Sequence, residues 1–204
     1  KELGVKDAKA ETKIADLKGV KDESGDVDAS KVTEIANAVG SYFGLVANDE
    51  SAEEFKTLGD LVGWISGAND APILLMTFSP RCGSVKRQCE RIVDAAAKGK
   101  FRIFALACNT KDTDEHFAKF RGTKDWPVRT FWDRDQRITD ILGAKVTPHF
   151  FLFDADGKLR YRGGLNNDPM GFMDEADRKD YLMDAVGAIR GGKEVPVKES
   201  EPSG

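Results

Sequence analysis

The chain has 204 residues, 40% of them apolar and 32% charged, with a net charge of −4. That is enough for one domain of ordinary size plus an extension, with a real hydrophobic core. The mildly acidic balance speaks against nucleic acid or an anionic membrane as the main partner, and no apolar run approaches the roughly 20 residues that cross a bilayer.

Residues 1 to about 27 are rich in Lys, Asp, Glu and Gly and read as a solvated extension with a short helix near residues 8–18. From Asp28 the pattern changes. Val32, Ile35 and Val39 recur at helical spacing behind the cap candidates Asp28 and Ser30, and Gly40 or Gly44 would stop the helix. Residues 54–65 predict a short helix with Leu58, Leu61, Val62 and Ile65 inward. The run APILLMTF, residues 71–78, lies between Asn69-Asp70 and Ser79-Pro80 and reads as a strand buried on both faces. A helix follows over residues 83–100, ending near Gly99, and FRIFALACN, 101–109, is the next buried strand. Residues 112–122 form a short helix capped by Asp112 or Thr113. PVRTFW, 127–132, is a strand candidate, and 135–144 a helix closed by Gly143. HFFLF, 149–153, then turns through DADG and returns as KLRYRG, an antiparallel hairpin in which Asp154 and Asp156 serve as turn formers. In the last helix, 177–192, Leu182, Val186 and Ile189 share one face, and the polar tail after it reads as loose. Trp126 and Trp132 read as packing under the sheet edge.

Chemistry concentrates in few residues. The three cysteines, Cys82, Cys89 and Cys108, are too few and too odd in number for a disulfide framework. The two histidines, His116 and His149, show no zinc-site spacing, so neither a metal nor another cofactor is expected. Cys82 leaves a strand and opens a helix, where free N–H groups and the nearby Arg81, Lys86 and Arg87 would favour the thiolate. Cys89 stands seven residues further along the same helix. At a rise of about 1.5 Å per residue the two Cα atoms lie about 10 Å apart, beyond the reach of a disulfide. Cys89 therefore reads as a small buried apolar residue.

Three features together resemble a thioredoxin-fold redoxin from about Ser41 to Gly192. They are TFSPRC at the end of the first buried strand, Thr147-Pro148 before a strand in GAKVTPHFFLFDADGKLRYRGG, and ALACN with WPVRTFWD between them. That group holds the alkyl hydroperoxide reductase/thiol-specific antioxidant proteins and the exported thiol–disulfide oxidoreductases. The closing YRGGLNND and YLMDAVGAIRGGKEV are similar to one bacterial subgroup of single-cysteine redoxins. The resemblance implies an α/β, thioredoxin-like fold, a central mixed sheet flanked by helices. Residues 1–40 would be a partly helical extension, 41–192 the redoxin domain and 193–204 a polar tail.

It further implies that Cys82 is the nucleophile and that Pro148 is cis and faces it. The backbone of Thr147 would be left to pair with an extended substrate. Ser79, Pro80, Arg81 and Val85 would support the site. Val85 stands where a Cys-x-x-Cys motif has its second cysteine. Against the peroxidase pattern Pro-x-x-x-Thr-x-x-Cys, Ser79 could serve for the Thr, but Leu75 replaces the Pro. Cys108, at the end of the strand expected beside ILLMTF, is the internal candidate for resolving a mixed disulfide. His149 reads as a satisfied strand histidine.

Two classes of function follow. The first is a thiol–disulfide oxidoreductase acting through Cys82 on a protein or small-molecule thiol or disulfide, with an external reductant; peroxide reduction is its close variant. The second is a non-catalytic module that presents the Pro148 groove to a partner. A copper carrier ranks third, because Cys82 and Cys89 are too far apart. The first residue, Lys1 rather than Met, and the resemblance together suggest an exported bacterial protein, with a cytoplasmic location left open.

Overall fold

The structure, a computed structural model, describes residues 21–40, 43–47, 53–67, 70–99, 101–124 and 126–204. The helix expected near 8–18 lies outside the described residues. The elements in chain order are α1 (Ala29–Gly40), α2 (Leu58–Gly67), β1 (Ile73–Phe78), α3 (Gly83–Gly99), β2 (Arg102–Ala107), α4 (Asp114–Arg121), β3 (Arg129–Trp132), α5 (Arg137–Leu142), β4 (Phe150–Phe153), β5 (Leu159–Gly163) and α6 (Tyr181–Arg190).

The five strands form one sheet in the order β3-β2-β1-β4-β5. β1, β2 and β3 run parallel, and β4 pairs antiparallel with both β1 and β5. This mixed sheet, with helices between its strands, is the thioredoxin-like fold. The register places Leu74 beside Ile103 and Leu152, and Met76 beside Ala105 and Phe150, so these side chains share one face. They are fully buried with Val85, Cys89 and Ile92 of α3 and Leu182, Ala185 and Val186 of α6.

The other face is covered less. Ile73, Leu75 and Phe104 are only half-buried, so β1 and β2 alternate over their first four positions and are enclosed on both faces only toward their ends. The continuous apolar runs therefore overstate burial. Phe104 does meet Gly44, whose φ of +71° and close contact with the ring leave no room for a Cβ. At the far end of the core, Phe78 stacks on Trp126, with ring centroids 4.9 Å apart, and meets the edge of Phe120 at 5.2 Å.

α1 begins one residue after Asp28, whose carboxylate accepts from the Ser30 amide at 2.9 Å. It belongs to a separate small cluster, with Val32 and Ala36 packed on Ala47 and Phe55. α4 starts with a capping box in which the Thr113 hydroxyl accepts from the His116 amide and the His116 ring accepts from the Thr113 amide.

Residues 193–204 are not loose. Val195 is buried in the main core. The Arg162 amide donates to Lys198 O at 3.0 Å, and the Ser200 amide donates to Arg162 O at 3.1 Å, a parallel bridge on the open edge of β5. Tyr161 anchors it: its hydroxyl donates to Gly164 O at 2.5 Å and lies 2.7 Å from Ser200 Oγ. Burial pushes the Tyr161 phenol up to about 12, so it stays protonated. Polar composition suggested a solvated tail; the unpaired amides of an edge strand supply the partner that composition does not show.

Candidate active site

β1 ends at Phe78, and the buried Ser79-Pro80 pair turns the chain into α3. The Cys82 amide donates to Ser79 O at 3.1 Å, closing that turn, and Cys82 O accepts from the Lys86 amide at 3.1 Å. Cys82 thus stands at the N-cap of α3, with the first-turn amides, which have no intrahelical acceptor, beyond it. Its side chain is half-buried.

Across from it lies the segment 146–149, held by Thr77 of β1. The Thr77 hydroxyl donates to Val146 O at 2.6 Å and accepts from the His149 amide at 2.8 Å, while the Thr77 amide donates to His149 O at 3.0 Å. The Thr147–Pro148 peptide bond is cis. The Cys82 thiol donates to Thr147 O, with a sulfur–oxygen distance of 2.9 Å. Cys82, Thr147 and Pro148 are therefore brought together.

The residues expected to support the site divide into two groups. Val85 is fully buried and belongs to the core, pointing from the first turn of α3. The Ser79 hydroxyl accepts from the Arg81 amide at 3.4 Å. Arg81 turns outward and is 42% exposed, and its Nε donates to Asp112 Oδ1 at 2.8 Å. The Asp112 carboxylate is wholly buried and its other oxygen has no partner among the described residues. Asp112 was legible in the sequence only as a cap candidate; with Thr113 capping α4, it is free to hold the residue before Cys82.

The other cysteines are more deeply buried. Cys89 is buried and its thiol donates to Lys86 O at 3.3 Å. Cys108 follows β2 directly, one residue past the Phe78–Ala107 pair. Burial pushes both thiols above their ordinary range, which disfavours the thiolate. All three cysteines are free. Cys108 lines an open groove of about 310 Å³ that also touches Thr77, Lys145 and Thr147, so groove and cis loop are continuous.

His149 is 3% exposed, with its ring 4.4 Å from that of Phe151 and its Nδ1 accepting from the Lys145 amide at 3.3 Å. Burial, with the charges of Lys145 and Arg162 nearby, pushes the imidazole down to about 4, so it is neutral at pH 7. Among the described residues, no group of three or more His, Cys, Asp or Glu could hold a metal ion. Nor is any helix among them long and apolar enough to cross a membrane.

Thr77 was not visible as a site residue in the sequence, because it sits inside an apolar run. The only clue was a hydroxyl near the end of a strand otherwise made of hydrocarbon.

A cysteine at the N-cap after the first strand of a mixed sheet, opposite a Thr-Pro loop before the antiparallel strand, defines a thioredoxin-fold protein of the redoxin class. The chain belongs to the redoxin family, whose model matches residues 65–182. No curated protein matches it. Among solved structures, a hypothetical protein from Sinorhizobium meliloti is 24% identical, with 68% of this chain and 81% of that one covered and a TM-score of 0.55. An uncharacterized conserved protein from Geobacillus kaustophilus is 21% identical, with 66% and 80% covered and a TM-score of 0.52. A secreted Mycobacterium tuberculosis disulfide oxidoreductase homologous to E. coli DsbE is 18% identical, with 61% and 86% covered and a TM-score of 0.44.

Proposed function

We propose that the protein is a thiol–disulfide oxidoreductase-like redoxin in which Cys82 is the one reacting thiol and the Thr147–Pro148 loop receives the substrate. The observation that carries this reading is the placement of Cys82 Sγ at the N-cap of α3, 2.9 Å from Thr147 O, inside the segment that matches the redoxin family. The thiolate would attack a substrate disulfide. One new S–S bond forms at Cys82, the old one breaks, and the leaving sulfur departs as a thiolate and takes up a proton. With Val85 in place of a second motif cysteine, an external thiol must attack the mixed disulfide and return Cys82 to its reduced form. Cys108 would be the internal alternative, though its buried, protonated thiol is poorly suited to that role. The compartment this reading implies is an exported one, where protein disulfides persist.

The test is incubation with excess glutathione disulfide, followed by intact and peptide mass measurement. One glutathione per chain, located on Cys82 and absent in Cys82→Ser, is the expected result. No adduct on Cys82 sinks the reading. Hydrogen peroxide separates the peroxidase variant: rapid, stoichiometric sulfenic acid at Cys82 would put peroxide in the substrate's place. Function that persists in Cys82→Ser would instead favour a binding module.

A further inference from the structure

The bridge between residues 198–200 and β5 is directional. β5 ends beside the start of β4, where Gly163 pairs with Phe150, and the tail runs parallel to β5. It is therefore delivered to the cis loop. After Ser200 the chain passes over Gly164, where a Cβ would lie 3.0 Å from Glu201 O. Pro202 and Ser203 are half-buried, and the path comes to rest on Thr147. A Cβ on Gly204 would stand 2.7 Å from Thr147 O and 3.1 Å from Thr147 N. Those two atoms are the pairing groups of Thr147, and the oxygen is the one that accepts the Cys82 thiol.

We propose that residues 201–204 form a strap across the substrate-binding face of the Thr147–Pro148 loop, limiting access to Cys82 and occupying the place of an extended polypeptide substrate. This rests on the reading of Cys82 and Thr147 given above. The hydrogen bonds that anchor the tail fall at Lys198 and Ser200, with an Arg162–Glu199 ion pair of 2.8 Å beside them. Beyond Ser200 the strap lies on the loop through packing contacts, so it can lift while its anchor stays on β5. The contact at 204 also defines what fits. An extended chain lies over Thr147 with a residue that has no side chain at that point, since a Cβ there would press on the carbonyl oxygen. The substrate class is an unfolded or looped polypeptide segment, which has to displace the strap.

The experiment compares the full chain with one ending at Ser200, both natively folded and fully reduced. Iodoacetamide is the probe, and alkylation of Cys82 is followed by peptide mass. If the strap covers the loop nine-tenths of the time, its removal speeds labelling of Cys82 about tenfold. Rates within about twofold of each other overturn the proposal. Labelling of the buried Cys89 in step with Cys82 would mean that shortening has loosened the core. Gly204→Val then decides: its side chain wedges the strap off Thr147 in a chain that keeps residues 201–204, so faster Cys82 labelling supports the strap and an unchanged rate overturns it. Alkylation reads access and needs no disulfide chemistry. A strap-dependent rate in a protein that forms no mixed disulfide would therefore sink the oxidoreductase reading and leave the strap standing.

Discussion

Under the proposed function, position 85 decides what kind of redox site the chain would carry. Val85 occupies the first turn of α3, one turn from Cys82, and packs fully buried in the core. Cysteine is smaller than valine, tolerates burial, and would sit three residues from a thiol at the N-cap. Val85→Cys is expected to form an internal disulfide with Cys82 on mild oxidation, leaving two free thiols where the parent has three. A thiol count under denaturing conditions reads the result. His149 supplies a pH effect. Its folded-state value near 4 lies below the ordinary 6.5, so between those values the unfolded chain holds a proton that the folded one does not. Stability is fully present above about pH 6.5 and declines as pH falls toward 4, by about 3 kcal/mol at most. Urea unfolding of the parent and His149→Phe at pH 7 and 4.5 checks this: the variant should lose less stability on acidification.

The turn between β1 and α3 depends on an ion pair whose acid comes from another loop. Asp112 is buried with one oxygen bonded to Arg81 and the other without a partner among the described residues. The two ends of this ion pair are unequal, because Arg81 is half in water and Asp112 is not. Arg81→Ala leaves an uncompensated buried carboxylate and is expected to cost roughly 3 kcal/mol. Asp112→Asn removes the charge and lets the arginine hydrate, for a change under about 1 kcal/mol. Chemical denaturation of the two variants gives the comparison, and equal losses would contradict the asymmetry. At the element scale, α3 thus joins two functions: its apolar stripe of Val85, Cys89, Ile92 and Ala96 seals the core, and its N-terminus presents Cys82.

The tail ties the far edge of the sheet to the site. Deleting residues 194–204 would expose the β5 edge, remove the fully buried Val195 and leave the Tyr161 hydroxyl without Ser200. Losing the valine alone should cost about 2 kcal/mol. The expected result is a lower melting temperature and a greater tendency to associate through the bared strand. Hydrogen exchange offers a check in the intact chain. The amides of Arg162 and Ser200 should be protected together, since each bonds across the same bridge.

Much of this was legible in the residues themselves. Period and punctuation located the helices and strands from Asp28 to Gly192, because apolar spacing and Gly, Pro and Asp stops act over a few residues. Cys82 could be singled out for the same reason, as a thiol after a strand, whereas Pro148 was marked by the resemblance that its Thr-Pro carries to the redoxins. What only the tertiary structure decided are the partners that meet across long sequence distances. Thr77 clasps residues 146–149, Asp112 holds Arg81, and the tail finds β5. A polar group buried by folding must find a partner wherever the packed chain brings one. Its choice is set by the three-dimensional approach of distant segments, which no local pattern encodes.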